Sequence, residues 1–286
     1  MTHSLEPSGY TNTLGIRLLK AITQTSSYVF TTREALQEAE KLNISTEYTR
    51  QILMKLTKAG WITRLRGGLY ATTGELPGNA MVHPFAIASR LVESSAISHL
   101  SALNFHGLSE QIPLIVTATT SKKFVTPSMR VGGKKRSRHT WEVEGVSYEY
   151  VTVKPEHFFG IEEVWIDIYC RIPIFDKERT MLDGFVAPKL LGGMGETLGL
   201  LEENLQALNV EKLVEYALQY GKGAVIKRVG WALERLGVEP WIIKPLQEFS
   251  VSSYHLLNPS GQQAGEYERK WMLRNNLWVR NHIEGV

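Results

Sequence analysis

The sequence predicts an α+β protein of two domains, and three observations predict it. The N-terminal part carries three apolar patterns at helical spacing, followed by two short apolar runs around an Arg-Gly-Gly turn. A Gly- and Pro-rich stretch, TGELPGNAMVHP, then marks a linker near 74–83, so the domains are expected at 1–75 and 76–286. Beyond it, β-branched runs mix with helical ones before a helical tail. A length of 286 residues favours two domains, and 43% hydrophobic content is enough for ordinary cores.

Taken in order, Leu14, Leu18, Leu19 and Ile22 recur at helical spacing and predict a helix over 12–24. Thr31-x-x-Glu34 is a capping box opening a second helix with Ala35, Leu36, Ala39 and Leu42 on one side. Ser45 is an N-cap for a third helix from Thr46 to about Ala59, ended by Gly60. At 100° per residue its apolar face is Tyr48, Ile52, Leu53, Leu56 and Ala59, and the opposite face is Glu47, Arg50, Gln51, Met54 and Lys58. The runs GWITRL and LYATT, with Arg64 and Arg66 beside the Gly67-Gly68 turn, form a hairpin.

Helix, helix, recognition-type helix and hairpin is the order of a winged helix-turn-helix. In that arrangement Thr46, Arg50 and Gln51 lie nearest DNA bases, and Lys55 and Lys58 add positive charge along the helix. Arg64 and Arg66 would grip phosphate or enter the minor groove, with Gly67 and Gly68 supplying positive φ and close backbone approach. The bland competitor is a protein-interaction module whose cations merely face solvent.

Charge is distributed unevenly although the net value is only +3. Residues 45–70 hold Arg50, Lys55, Lys58, Arg64 and Arg66 against the single acid Glu47. Residues 122–138 hold Lys122, Lys123, Arg130, Lys134, Lys135, Arg136 and Arg138 and no acid. Two local basic blocks point to a polyanion, and Lys134, Lys135, Arg136 and Arg138 are candidates for an additional DNA contact or a solvated loop.

In the second part, helices are expected to about Val92 and over Ser98–His106, then a strand in IPLIVTATT. Glu144-Gly145 reads as a hairpin turn, and VWIDIYCRIPIF as a central strand. Asp176 caps a helix on which Arg179 and Asp183 pair at i, i+4. A helical pattern fills 196–249, broken by Pro240 and Pro245.

Several functional classes find little support. The single cysteine, Cys170, excludes an internal disulfide framework and multi-cysteine metal sites and reads as a buried, inert thiol. The N-terminus lacks a signal-peptide core and no run approaches a membrane span, so a cytoplasmic protein without a membrane partner is expected. His99 and His106 read as packing or capping residues, and no cofactor or metal is called for. A restriction-type nuclease would need Mg²⁺-binding acids; Asp167 and Glu268-Arg269-Lys270 are the only pieces, far apart. A ligand-sensing repressor stays open, since a pocket is not legible in sequence.

The phrases RGGLYA (66–71), SALNFHGL (101–108), EQIP (110–113), DKERTMLD (176–183) and IKRVGWALERLG (226–237) occur in that order. With them the chain resembles the AbiEi antitoxins of type IV toxin–antitoxin, or abortive infection, systems. That resemblance implies an autorepressor that binds inverted repeats in double-stranded DNA through a winged helix. It further implies a C-terminal antitoxin domain opposing a nucleotidyltransferase-type toxin, without a stable complex being required. Inverted repeats call for a homodimer or paired monomers on DNA. No enzymatic activity is implied.

Overall fold

The computed structural model describes residues 9–26, 28–73, 82–125, 140–143, 145–167 and 170–277. It is a mixed α+β structure with three sheets.

The N-terminal unit comprises α1 (Gly9–Ser26), β1 (Val29–Thr31), α2 (Thr32–Lys41), α3 (Thr46–Lys58), β2 (Ile62–Arg66) and β3 (Leu69–Thr72). The capping box forms as the sequence predicts: Thr31 Oγ1 accepts from the Glu34 N–H, and the Glu34 carboxylate accepts from the Thr31 N–H at 2.6 Å. Leu18, Ile22, Phe30, Ala35, Ala39, Ile52, Leu53 and Ile62 close a core between the helices and the sheet. Gly15 brings α1 onto α3, since a Cβ there would lie 3.4 Å from Leu56 Cδ2.

The three strands run in the order β1-β3-β2, all antiparallel. Alternation along them sends successive residues to opposite faces. Phe30 and Ile62 join the helical core, with Tyr70 packed against it. Val29, Leu65, Leu69 and Ala71 instead join a core shared with residues beyond 82. The sheet is therefore a partition with a buried layer on each side.

That second layer contains α4 (Pro84–Leu91) and one face of a six-stranded mixed sheet. The strands are β4 (Ser95–Ile97), β5 (Ile115–Thr120), β6 (Thr140–Val143), β7 (Val146–Thr152), β8 (Ile161–Trp165) and β9 (Arg171–Phe175), in the order β6-β7-β5-β4-β9-β8. Arg90 of α4 pairs with Glu34 of α2, a second tie between the parts. α5 (His99–Phe105) sends Ala102 toward this layer and Leu103 toward a third core, built by α6 (Lys177–Val186), α7 (Met194–Asn204), α8 (Val210–Tyr220), α9 (Gly223–Arg235) and α10 (Pro240–Glu248). A small sheet, β10 (His255–Leu256), β11 (Glu266–Glu268) and β12 (Leu273–Asn275), follows the helices.

Several expectations need correction. VWIDIYCRIPIF is not one central strand: it divides between β8 and β9, paired antiparallel with Trp165 opposite Arg171. Asp167 falls at the bend between them, and β8 is the sheet's edge, where Glu162 and Glu163 stay hydrated. Pro240 does not break a helix but starts one, at the N-terminal position where no backbone N–H is required, and Pro245 lies inside the same helix. The short buried strand β4 precedes α5 and carries too few residues to show a period. The Glu144-Gly145 turn has its glycine at φ 78°, between strands at the expected places; Glu144 itself lies outside the described residues.

Candidate nucleic-acid interface

Ser45 Oγ accepts from the Tyr48 N–H at 3.3 Å and fixes the start of α3. The helix buries Thr49, Ile52, Leu53 and Leu56. Thr46, Arg50, Gln51, Lys55 and Lys58 are all exposed, as is Met54. Tyr48 and Ala59, expected on the apolar face, are exposed. Thr49 takes the inward position, because its hydroxyl donates to the Ser45 carbonyl at 2.8 Å and so carries no unpaired polar group inward. Arg50 makes only a loose contact with Glu47, 3.7 Å apart with both side chains largely exposed, which leaves it available to an outside anion.

The hairpin departs from expectation in one decisive way. Register shifts between Arg64, opposite Tyr70, and Arg66, opposite Leu69. In a regular strand residues two apart share a face; the extra residue turns Arg66 to the Leu69 side, toward the shared core, while Arg64 stays with Tyr70 and is exposed. Arg66 Nε is shielded from solvent and has no hydrogen-bond partner. The two arginines therefore do not form one grip. Of the two glycines only Gly68 has positive φ, 76°, and its carbonyl accepts from the Thr32 N–H at 2.8 Å, which ties the turn to the start of α2. Arg33, exposed one residue further along, was not singled out in the sequence; its place beside a capped helix start was the available signal.

Lys134, Lys135, Arg136 and Arg138 lie outside the described residues. Lys122 and Lys123, at the start of the same basic block, follow β5 directly and are exposed. They face the turn after β2 across a cleft whose other wall is the end of α4.

The DKERTMLD segment is built as a cap and an ion pair. Asp176 Oδ1 accepts from the Arg179 N–H at 2.8 Å, and Asp176 Oδ2 accepts from the Tyr216 hydroxyl at 2.8 Å. Arg179 is fully buried, paired with Asp183, and enclosed by the rings of Phe159, Phe175 and Tyr220. His99 is buried 3.9 Å from Asp183, its Nδ1 2.8 Å from Ser98 Oγ; His106 Nε2 meets the Phe175 carbonyl at 2.7 Å. Burial pushes the Cys170 thiol up to about 11, which keeps it protonated and unreactive. Asp167 lies at the bend after β8 and Glu268 in β11 of the small sheet, and among the described residues no group of three or more His, Cys, Asp or Glu is placed to hold a metal ion. No helix of the described residues is long and apolar enough to cross a membrane.

No family model and no curated protein matches the chain. Among solved structures it is similar to the crystal structure of RV2827C protein from Mycobacterium tuberculosis, with a TM-score of 0.58 and 13% identity over 91% of this chain and 90% of that one. At that identity the likeness is one of fold, and it extends over nearly the whole of both chains.

Proposed function

We propose that residues 9–73 are a winged helix-turn-helix and that the protein is a DNA-binding repressor of its own promoter. The observation that carries this reading is the solvent face of α3. Arg50, Gln51, Lys55 and Lys58 are exposed on a helix whose other side is locked into the core by Ile52, Leu53 and Leu56. A rigid helix presenting cations and an amide is suited to the major groove, where arginine reads guanine and glutamine reads adenine. Arg64 supplies a phosphate contact from the hairpin. Inverted repeats would be read by two copies, as a dimer or side by side on the duplex.

The remainder of the chain, by its resemblance to AbiEi, is the antitoxin part, opposing a nucleotidyltransferase-type toxin. Its α4 and six-stranded sheet share a buried core with the N-terminal sheet.

The experiment is a band-shift titration against the duplex upstream of the gene and a scrambled duplex, at two salt concentrations. Tighter binding to the native duplex is expected, with log affinity falling against log salt by about 0.9 for each phosphate contacted. Equal, weak binding to both duplexes overturns the repressor. Co-expression with the adjacent gene tests the antitoxin: growth arrest relieved by this chain supports it, and arrest that persists removes it.

A further inference from the structure

The cleft beside the β2–β3 turn has a volume of about 520 Å³, the size of a small-molecule site, and lies where the N-terminal sheet meets the second layer. Its charged lining is Arg66, Lys122 and Lys123 against one acid, Glu93. None of the three cations has an ion-pair partner among the described residues. Arg66 contributes more than charge: its Nε is shut off from solvent without an acceptor. An anion seated in the cleft would pair with that otherwise uncompensated guanidinium through a charge-assisted hydrogen bond. The same lining carries two aromatic rings, Phe124 and Trp141. Phe124 is held edge-on to Tyr150 at 5.3 Å, and the Tyr150 hydroxyl is anchored on the Ala88 carbonyl at 2.6 Å, so that side of the wall is fixed.

We propose that this cleft binds a nucleoside monophosphate. The phosphate would sit on Arg66, Lys122 and Lys123, and the flat base against Phe124 and Trp141. Cations and aromatic rings in one lining match a ligand with a dianionic end and a planar end, which a bare inorganic anion or a neutral nucleoside offers only by halves. Arg66 ends β2 and Gly67 begins the turn after it, so occupancy would be felt in the hairpin that the repressor reading places on DNA. The binding proposal itself does not depend on that reading.

The test is calorimetry on the full chain without DNA, titrating AMP, adenosine and inorganic phosphate separately. AMP is expected to bind about tenfold or more tighter than either part alone, a difference of about 1.4 kcal/mol. Lys122→Gln with Lys123→Gln, both on exposed side chains, should weaken AMP about tenfold at an unchanged melting temperature. Arg66→Gln should do the same; if it also melts early, the lysine pair decides. AMP binding no tighter than phosphate, or unaffected by the lysine pair, overturns the proposal. So does a lysine pair that weakens DNA binding while leaving AMP untouched, which would make the cleft a seat for the DNA backbone.

Discussion

Removing the Asp183 carboxylate strands a buried cation. Arg179 is fully buried, and among the described residues the other hydrogen bond of its guanidinium is to the His157 carbonyl at 3.3 Å, with Asp183 its one ion-pair partner. Breaking a buried pair from one side costs about 3–5 kcal/mol, far more than an exposed pair is worth. Asp183→Ala should lose stability on that scale in urea unfolding, and a loss below about 1 kcal/mol would mean that the pair is not what holds α6. His99 shares the site. Burial lowers its pKa below the ordinary 6.5, Asp183 opposes that, and Arg179 reinforces it, with Glu149 a weaker opposing charge. The unfolded chain then takes up a proton that the folded chain refuses, so this contribution is complete above pH 6.5 and is lost as pH falls below it. Unfolding titrations should show stability declining on acidification from that point, and His99→Gln should flatten the decline. An unchanged slope would assign it to other groups.

At the scale of elements, the sequence was legible wherever a period or a cap ran for several residues. The capping box at Thr31, the Ser45 cap, the Asp176 cap and the i, i+4 pair on α6 all stand where spacing placed them. What escaped depended on tertiary partners. Tyr48 and Thr49 exchange sides because a hydroxyl satisfied by its own helix buries easily, which a helical wheel does not register. β8 and β9 looked like one strand because Val164, Trp165 and residues 172–175 are apolar, although a bend at Asp167 lies between them. The candidate site was half legible: α3's outward cations were, whereas the direction of Arg66 is set by a one-residue register shift with no local signature. The shift makes a prediction. Arg64→Ala should weaken operator binding by about 1 kcal/mol for all sequences alike, as a phosphate contact does. Arg50→Ala should reorder preference among operator variants, and Arg66→Ala should affect DNA least of the three. Equal losses for Arg64 and Arg66 in matched-salt band shifts would return Arg66 to the DNA face.

At the scale of the whole molecule, the sequence suggested a boundary near residue 75, and the packing shows how the parts on either side are joined. One face of the three-stranded sheet gives Val29, Leu65, Leu69 and Ala71 to a core completed by Phe85, Ala88, Leu91 and the six-stranded sheet. A unit hung on a flexible linker would leave that face polar and hydrated; here it is buried. The burial ties the N-terminal unit to the second layer through packed side chains as well as through the chain itself. Leu69 is the sensitive position, 1% exposed and in the strand at the middle of the partition. Leu69→Ala removes about 2–5 kcal/mol of core packing. If both parts unfold as one cooperative system, hydrogen exchange should speed up in α1–α3 and in β4, β5 and β9 alike, and urea unfolding should remain a single transition at lower midpoint. Faster exchange confined to residues 9–73, with a separate early transition, would show that the partition is packed but not coupled, and the N-terminal unit would then read DNA as an independent module.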